Sequence, residues 1–376
     1  MFETHRALTI GQKLTRVSWS AIALVIALAA VGVVTLFSVA GGSFEPWAQR
    51  HAARCAAGVM VLIGCAMVPV KVWMQAAVPI YLAALALLAA VPVIGNEAMG
   101  AKRWLTFGGL SLQPSEFMKV ALVLVLARFY AALPAKQVSR PLWIAVALTL
   151  MALPVVLTLK QPDLGTALLL AGIGLGTMFL AGVSLWYFAS ALVAVVAVLP
   201  QVTLHLHDYQ RRRIEIFLDP SSDPLGAGYH ITQAKIALGA GGLYGQGYLK
   251  GTQNQLDFVP EKMTDFIFAM IGEEWGFAGA CVVLALFGSL ISVLFVLAYA
   301  NTQTFGRLVI SGAALSLSIY VVINVGMVTG LVPVVGVPLP LISYGGTAML
   351  GLMVALGLAM SAHVHDGTGQ VVGARF

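Results

Sequence analysis

The chain is a series of continuous apolar runs, each close to 20 residues long, separated by short polar or glycine- and proline-bearing breaks. Ten runs can be drawn, at about 17–40, 52–70, 76–94, 115–133, 141–159, 164–182, 185–204, 275–299, 306–330 and 341–362. A helix rising 1.5 Å per residue needs roughly 20 apolar residues to cross a ~30 Å hydrocarbon core, so each run predicts one spanning helix. A membrane β-barrel would show alternating segments of ~10 residues instead. Between the sixth and seventh runs, Gly182-Val183-Ser184 has to serve as the turn. The first run, Val17 to Ala40, follows Arg6, Lys13 and Arg16 as a signal peptide would. It is longer than the roughly 7–15 apolar residues of a signal core, and many spans follow, so it reads as the first membrane helix.

Composition removes the alternatives. Of 376 residues, 60% are hydrophobic and only 10% charged. A soluble domain carries roughly 25% charged residues. A soluble enzyme, a disordered chain and a repeat array are therefore excluded, and the expected class is an all-α polytopic membrane protein with ten transmembrane helices. With an even number of spans both ends lie on one side. If the N-terminus is cytoplasmic, the inner segments hold nine basic residues and the short outer ones five (Arg50, Arg54, Lys102, Arg103 and Lys160). The positive-inside rule then places both termini in the cytoplasm. The net charge of +6 fits basic cytoplasmic ends and calls for no nucleic acid. Cys55, Cys65 and Cys281 lie in or beside apolar runs without metal spacing and read as small buried hydrophobes.

Two regions break the pattern. The loop at about 205–274 holds nine of the 15 acidic residues, together with Arg211, Arg212, Arg213, Lys235, Lys250 and Lys262. A structureless loop of that length is unusual. Short amphipathic helices at the outer membrane surface are expected, Gln233 to Leu238 being one such stretch. The run 331–346, LVPVVGVPLPLISYGG, carries Pro333, Pro338 and Pro340. It is too apolar for an ordinary loop and too broken for a helix. A re-entrant or kinked segment before the last helix fits, and such backbone survives at membrane depth only where protein or a cavity surrounds it.

Ionisable groups near these breaks are the candidates for chemistry. Glu116 and Lys119 share a helix face; they read either as a polar site facing a cavity or as an ion pair joining helices. Asp163 stands where a helix begins, a good N-cap as well as a candidate functional carboxylate. Asp265 is followed at once by Phe-Ile-Phe, which sets it at a water–apolar boundary. Partial desolvation there would make it a better base; the plainer alternative is that Thr264 or Asp265 caps the helix. Other signals fail. Gly242 and Gly247 have the gap of a phosphate loop, but Tyr248 and Leu249 stand where Lys and Ser or Thr are needed. His205 with His207, and His363 with His365, are weak metal spacings. Gly172 and Gly176 suit helix packing.

A set of motifs then runs in order along nearly the whole chain. They are Gln113-Pro114-Ser115-Glu116 with Lys119, Gln161-Pro162-Asp163-Leu164-Gly165-Thr166, Asp219 to His230, Gly251 to Leu256, Pro260-Glu261 with Thr264-Asp265-Phe266-Ile267-Phe268, and Pro338-Leu339-Pro340 with Ser343-Tyr344-Gly345-Gly346. Together they resemble the SEDS family (shape, elongation, division and sporulation), and the short ends and the wording of Gly251 to Leu256 favour its elongation branch. The resemblance implies one integral membrane domain over 1–376, in the bacterial cytoplasmic (inner) membrane, with the active site on the outer face. It implies a peptidoglycan glycosyltransferase that polymerises lipid II into glycan strands during cell elongation. A class B penicillin-binding protein, a transpeptidase, would be its partner, with membrane lipids around it. Asp265 falls on the family's catalytic carboxylate. Glu116, Lys119 and Trp104 fall on further family positions.

The implied reaction displaces a lipid pyrophosphate from a sugar C1 by a sugar hydroxyl, with inversion. It needs a base at the hydroxyl and cations at the leaving group. Asp265 is the expected base. Glu116, Lys119, Trp104, Arg103, Arg211, Arg212, Lys235, Gln253 and Glu261 are the expected substrate-binding set. No cofactor is fixed; a divalent cation such as Mg²⁺ or Mn²⁺ stays open, with no metal ligands assigned. The rival reading is a flippase for a lipid-linked precursor, with Glu116, Lys119 and the broken run as a midplane path.

Overall fold

A computed structural model describes residues 8–98, 101–107, 110–202, 208–223 and 226–367. His205 and His207 lie outside the described residues. The chain folds as a helical bundle whose long helices follow the predicted runs. They are α2 (Trp19–Val39), α3 (Ala48–Met67), α4 (Val70–Ile94), α5 (Pro114–Ala131), α6 (Pro141–Leu159), α7 (Leu164–Leu180), α8 (Leu185–Val202), α12 (Ile267–Ala300), α13 (Thr304–Thr329) and α14 (Gly346–Val364). A short α1 (Ile10–Arg16) precedes them, capped by the Thr9–Gln12 capping box.

Six of these helices, α2, α4, α6, α12, α13 and α14, are long and apolar enough to cross a membrane. Among the described residues, the other long helices fall short of that measure. α5 carries Glu116, Lys119 and Arg128, and α3 carries Arg50, His51 and Arg54. α7 has only 17 residues. Thirteen of the 18 residues of α5 are buried, so its charges are enclosed by other helices and α5 is the axis of the bundle. α7 and α13 pack through small residues: Gly172 lies against Ile319, and Gly176 against Leu315.

The long loop folds into short helices, α9 (Asp208–Leu218), α10 (Ala227–Ala240) and α11 (Thr252–Gln255). It enters the bundle at Gly276 of α12, whose φ of 69° breaks that helix. The backbone groups freed there are taken up by the loop. Phe277 and Ala278 donate N–H to the carbonyls of Gly242 and Leu243, at 2.9 and 3.0 Å. Gln246 and Gly247 donate to Glu273 and Glu274, at 2.9 and 3.1 Å. Only glycine suits both this left-handed backbone and so close an approach of another chain segment.

A three-stranded antiparallel sheet was not among the expected elements. Its strands are β1 (Asn96–Ala98), β2 (Ala101–Phe107) and β3 (Leu110–Leu112), between α4 and α5. β2 pairs Trp104 with Asn96 on one side and Leu105 with Leu112 on the other.

The run 331–345 has no helix or strand, as its prolines require. Its buried polar groups are met by side chains from the surrounding helices. Nε2–H of His51, on α3, donates to Leu341 O at 3.0 Å, and Asn324 Nδ2, on α13, donates to Val337 O at 2.7 Å. Ser343 Oγ accepts from Leu339 N at 2.8 Å. Gly32 of α2 closes the pocket around His51. A Cβ there would stand 2.8 Å from His51 Nε2, Leu341 O and Ile342 Cα alike.

Gly32→Ala should therefore overpack this junction and cost about 1–3 kcal/mol. Thermal unfolding of the purified protein in detergent should show a lower midpoint than wild type; an unchanged midpoint would show that the segment yields easily.

Candidate active site

Asp265 closes the loop that leads into α12. The helix N-cap is the next residue, Phe266, with no side-chain cap, so neither Thr264 nor Asp265 serves as one. The backbone turns sharply before it, with Glu261 at a φ of 52°. Glu261 O accepts from Thr264 N at 3.0 Å and from Phe266 N at 3.3 Å. Glu261 Oε2 accepts from Thr264 Oγ1 at 2.7 Å. The Asp265 carboxyl is half-buried beside two other carboxylates, Glu261 and Asp163. Burial first, then repulsion by Glu261 and Asp163, pushes its pKa up to about 7.

Asp163 is the N-cap of α7, accepting from Thr166 N at 3.2 Å and Thr166 Oγ1 at 2.9 Å. Gln113 Nε2 donates to its other side at 3.4 Å. Arg103 on β2 brings its Nε to 3.9 Å from Asp163 Oδ2 and donates to Pro162 O at 2.5 Å. The sheet thus carries a guanidinium to the acidic cluster, with Trp104 half-buried next to it. Asp163 caps α7, and its charge contributes to raising the pKa of Asp265.

Deeper in the bundle, Glu116, Lys119 and Tyr320 form a closed triad. Lys119 Nζ donates to Glu116 Oε1 at 2.7 Å and to the Tyr320 hydroxyl, and that hydroxyl donates to Glu116 Oε2 at 2.7 Å. All three side chains are buried. The triad lies at one end of a narrow apolar slot between α5, α13 and α14. Nothing in the sequence marks Tyr320 as a member, since an isolated tyrosine on an apolar helix has no pattern.

The remaining candidates lie on the loop. Arg211 and Arg212, on α9, are exposed and pair with Glu215 at 3.9 Å and Asp223 at 3.3 Å. Lys235, on α10, lies against Gly330, the left-handed C-cap of α13, where a cation suits the helix terminus. Gln253, on α11, faces Glu273 instead: its N–H donates to Glu273 Oε1 at 2.7 Å. The structure thus brings Asp265, Glu261, Asp163 and Arg103 together, with Trp104 beside Arg103 on β2. Among the described residues, no group of three or more His, Cys, Asp or Glu side chains is placed to hold a metal ion.

These features define a helical membrane protein with an acidic cluster gathered where one bundle end meets a folded loop. Residues 14–367 match the family model for FtsW, RodA and SpoVE, described as cell cycle protein, and the chain belongs to that SEDS family. It is 44% identical over 346 residues to peptidoglycan glycosyltransferase MrdB of Escherichia coli strain K12, covering 91% of this chain and 92% of that protein. A probable peptidoglycan glycosyltransferase FtsW of Trichlorobacter lovleyi is 38% identical over 355 residues, covering 90% and 91%. Among solved structures, a chain from a study of polymerization and crosslinking by a peptidoglycan synthase complex matches with a TM-score of 0.82 at 34% identity, over 93% of this chain and 98% of that one. The rod shape determining protein RodA of Thermus thermophilus matches with a TM-score of 0.71 at 29% identity, over 93% and 98%.

The raised pKa of Asp265 has a sign in stability. Below the ordinary pKa of 3.8, folded and unfolded forms are both protonated and no penalty exists. As pH rises toward about 7, the unfolded chain loses the proton first, and stability falls. Asp265→Asn, which stays neutral, should therefore melt higher than wild type above pH 7, by up to about 4 kcal/mol. The gap should close toward pH 4. Melting curves at the two ends of this range test it, and a gap independent of pH would refute the assignment.

Proposed function

We infer that the chain is a peptidoglycan glycosyltransferase that polymerises lipid II into glycan strands, with Asp265 as general base. The observation that carries this reading is a carboxyl at the bundle end whose pKa burial and neighbouring charge bring near neutrality, where a general base works best.

In this reading the sugar acceptor hydroxyl gives its proton to the Asp265 carboxylate as its oxygen bonds to the donor C1. The C1–pyrophosphate bond breaks in the same inverting step, and the lipid pyrophosphate leaves with the electron pair. Arg103 is the cation nearest the acidic cluster and meets the leaving charge. Lys235, Arg211 and Arg212, on the loop, supply further positive charge along the substrate's path, and Trp104, Gln253 and Glu261 complete its surroundings. Lys119 has a different part. Its ammonium is enclosed with Glu116 and Tyr320, so it holds α5 to α13 behind the site and does not meet phosphate directly.

The proposed topology has α2 to α8 and α12 to α14 as ten membrane crossings, with both termini cytoplasmic and Asp265 outward. In favour of it, the contacts fall into two sets. At the end of the bundle that carries Asp265, Ser38 of α2 reaches Glu274 of α12, and His51 of α3 reaches Leu341. At the other, Lys13 reaches Met67 O at 2.7 Å, Ser361 reaches Val68 O at 2.6 Å and Asn301 reaches Ala362 O at 3.0 Å. The run 331–345 is re-entrant in this topology. A class B penicillin-binding protein is the proposed partner, on the strength of the likeness to a chain from a synthase complex.

Purified protein should convert lipid II to polymer in detergent, alone or with that partner, and the rate should climb through about pH 7 as Asp265 ionises. Asp265→Asn should lose about 10²–10⁴-fold in rate while staying folded. Near-normal polymer from the folded variant would remove Asp265 as base. No polymer from wild type, with labelled lipid still crossing vesicles, would turn the reading to a flippase.

A further inference from the structure

The loop that presents Asp265 is held from behind at three consecutive carbonyls. Met263 O accepts from Tyr344 N at 2.8 Å. Thr264 O accepts from Ser343 Oγ at 2.6 Å. Asp265 O accepts from Asn324 Nδ2 at 2.9 Å. The same Asn324 amide nitrogen donates to Val337 O at 2.7 Å. Two carbonyl acceptors leave no choice about which end of the side chain is the NH₂. Asn324 lies in the last two turns of the apolar helix α13 and is fully buried. An amide there without partners would be costly, and this one is used to tie two irregular segments together.

Gly336 shows what the tie accomplishes. It precedes Val337, in the left-handed region at a φ of 71°. A Cβ on it would stand 3.4 Å from Asp265 Oδ2, with no other atom within 4 Å. The tie thus sets the spacing between this backbone and the carboxyl, which leaves room for about one methyl group between them.

We propose that Asn324 is a positioning residue for Asp265, fixing the loop that carries the carboxyl to the broken run by bridging Asp265 O to Val337 O, with Ser343 supporting it one residue earlier. The proposal rests on the reading of Asp265 as the base. Without the bridge the loop and the broken run can part, water reaches the carboxyl, and its aim at the acceptor hydroxyl is lost. Among the described residues, ionisable groups approach Asp265 and its supports from several elements, with Arg54 of α3 over the Tyr344 ring at 4.5 Å and Lys235 of α10 against Gly330. Glu261 faces the Asp265 carboxyl from its own loop, as does Asp163 from the head of α7, with Arg103 from the sheet beside Asp163. On the α10 side, His230 stacks on Phe266 at 6.4 Å between ring centroids. The run 331–345 contributes no ionisable group besides Tyr344, and α13 none near Asn324 except Tyr320.

The test is steady-state polymerisation of lipid II by the full-length protein across the pH range on both sides of neutrality. Asn324→Leu keeps the volume and removes both hydrogen bonds. It should lower kcat by about 10²-fold, as small misplacements of a catalytic group do. KM should stay near wild type, and the acid limb of the profile should move below its wild-type position. Ser343→Ala should move both in the same direction by less. A merely structural asparagine would reduce the folded fraction and leave the acid limb where it is, and that result overturns the proposal. If Asn324→Leu does not give monodisperse protein, Ser343→Ala decides: an unmoved limb with wild-type kcat counts against the tie. Asp265→Asn is run alongside. Inactive Asp265→Asn with unmoved profiles for the other two refutes the positioning role alone; active Asp265→Asn refutes the base itself.

Discussion

The structure depends on one constraint: a stretch of irregular backbone, 331–345, runs into a helical bundle and is largely buried from Val337 to Ser343, where its polar groups need partners. Helices satisfy their own backbone; this segment cannot, because three prolines and a left-handed Gly336 prevent any regular ladder. Two of the partners come from outside and one from the segment itself. His51 meets Leu341 O, Asn324 meets Val337 O, and Ser343 folds back on Leu339 N. Each side chain belongs to a different part of the chain. The segment therefore fixes the mutual positions of α3, α13 and the start of α14, and the loop before α12 is attached to the same framework.

Buried charge follows the same logic. Glu116 and Lys119 sit at the start of α5, the most enclosed helix, and are stable there because each completes the other and Tyr320 completes both. Glu273 and Glu274, also buried, have no cation of their own and are met by donors instead. Glu273 takes the N–H groups of Gln253 and Asn254, at 2.7 and 3.3 Å, and Glu274 takes Ser38 Oγ at 2.5 Å and Asn254 Nδ2 at 3.3 Å. Lys262 holds the Asn254 side chain and carbonyl from behind, at 2.9 and 2.7 Å. Through these contacts the long loop is fastened to α2 and α12 near the kink at Gly276. The loop is thus a folded wall of the molecule, and Asp265 stands where that wall meets the bundle.

Much of this was legible in the sequence, and the limits have physical causes. Apolar runs report helices because a chain this poor in charge has no other way to satisfy its backbone in lipid. Asp163 could be read as a cap because capping is local: the acceptor and the Thr166 N–H are three residues apart. The irregular run could be read because proline acts on its own neighbourhood. The sheet could not, since its strands of three, seven and three residues are too short for an alternation to register. His51, Asn324 and Tyr320 could not either. Each is one polar residue in an apolar helix, and its partner is contributed by a distant segment: Asn324 and Asp265 are 59 positions apart. Lys119 was legible as a charge near the site, but only packing reveals that its ammonium is enclosed.

The feature that makes Asp265 useful is the one that makes it expensive. A carboxyl free in water stays ionised at neutral pH and is a weak base; one partly desolvated beside two other carboxylates holds its proton to about pH 7. That state persists only if the surrounding backbone is unable to retreat and let water in. The fixed framework around 331–345 prevents retreat, and Gly336 lets it approach the carboxyl without a side chain between them. Satisfying the polar groups of the irregular segment and raising the basicity of Asp265 are consequently one structural problem with one solution. A membrane protein that built this wall from regular helix would spare the hydrogen bonds and lose the tie that holds the Asp265 loop in place.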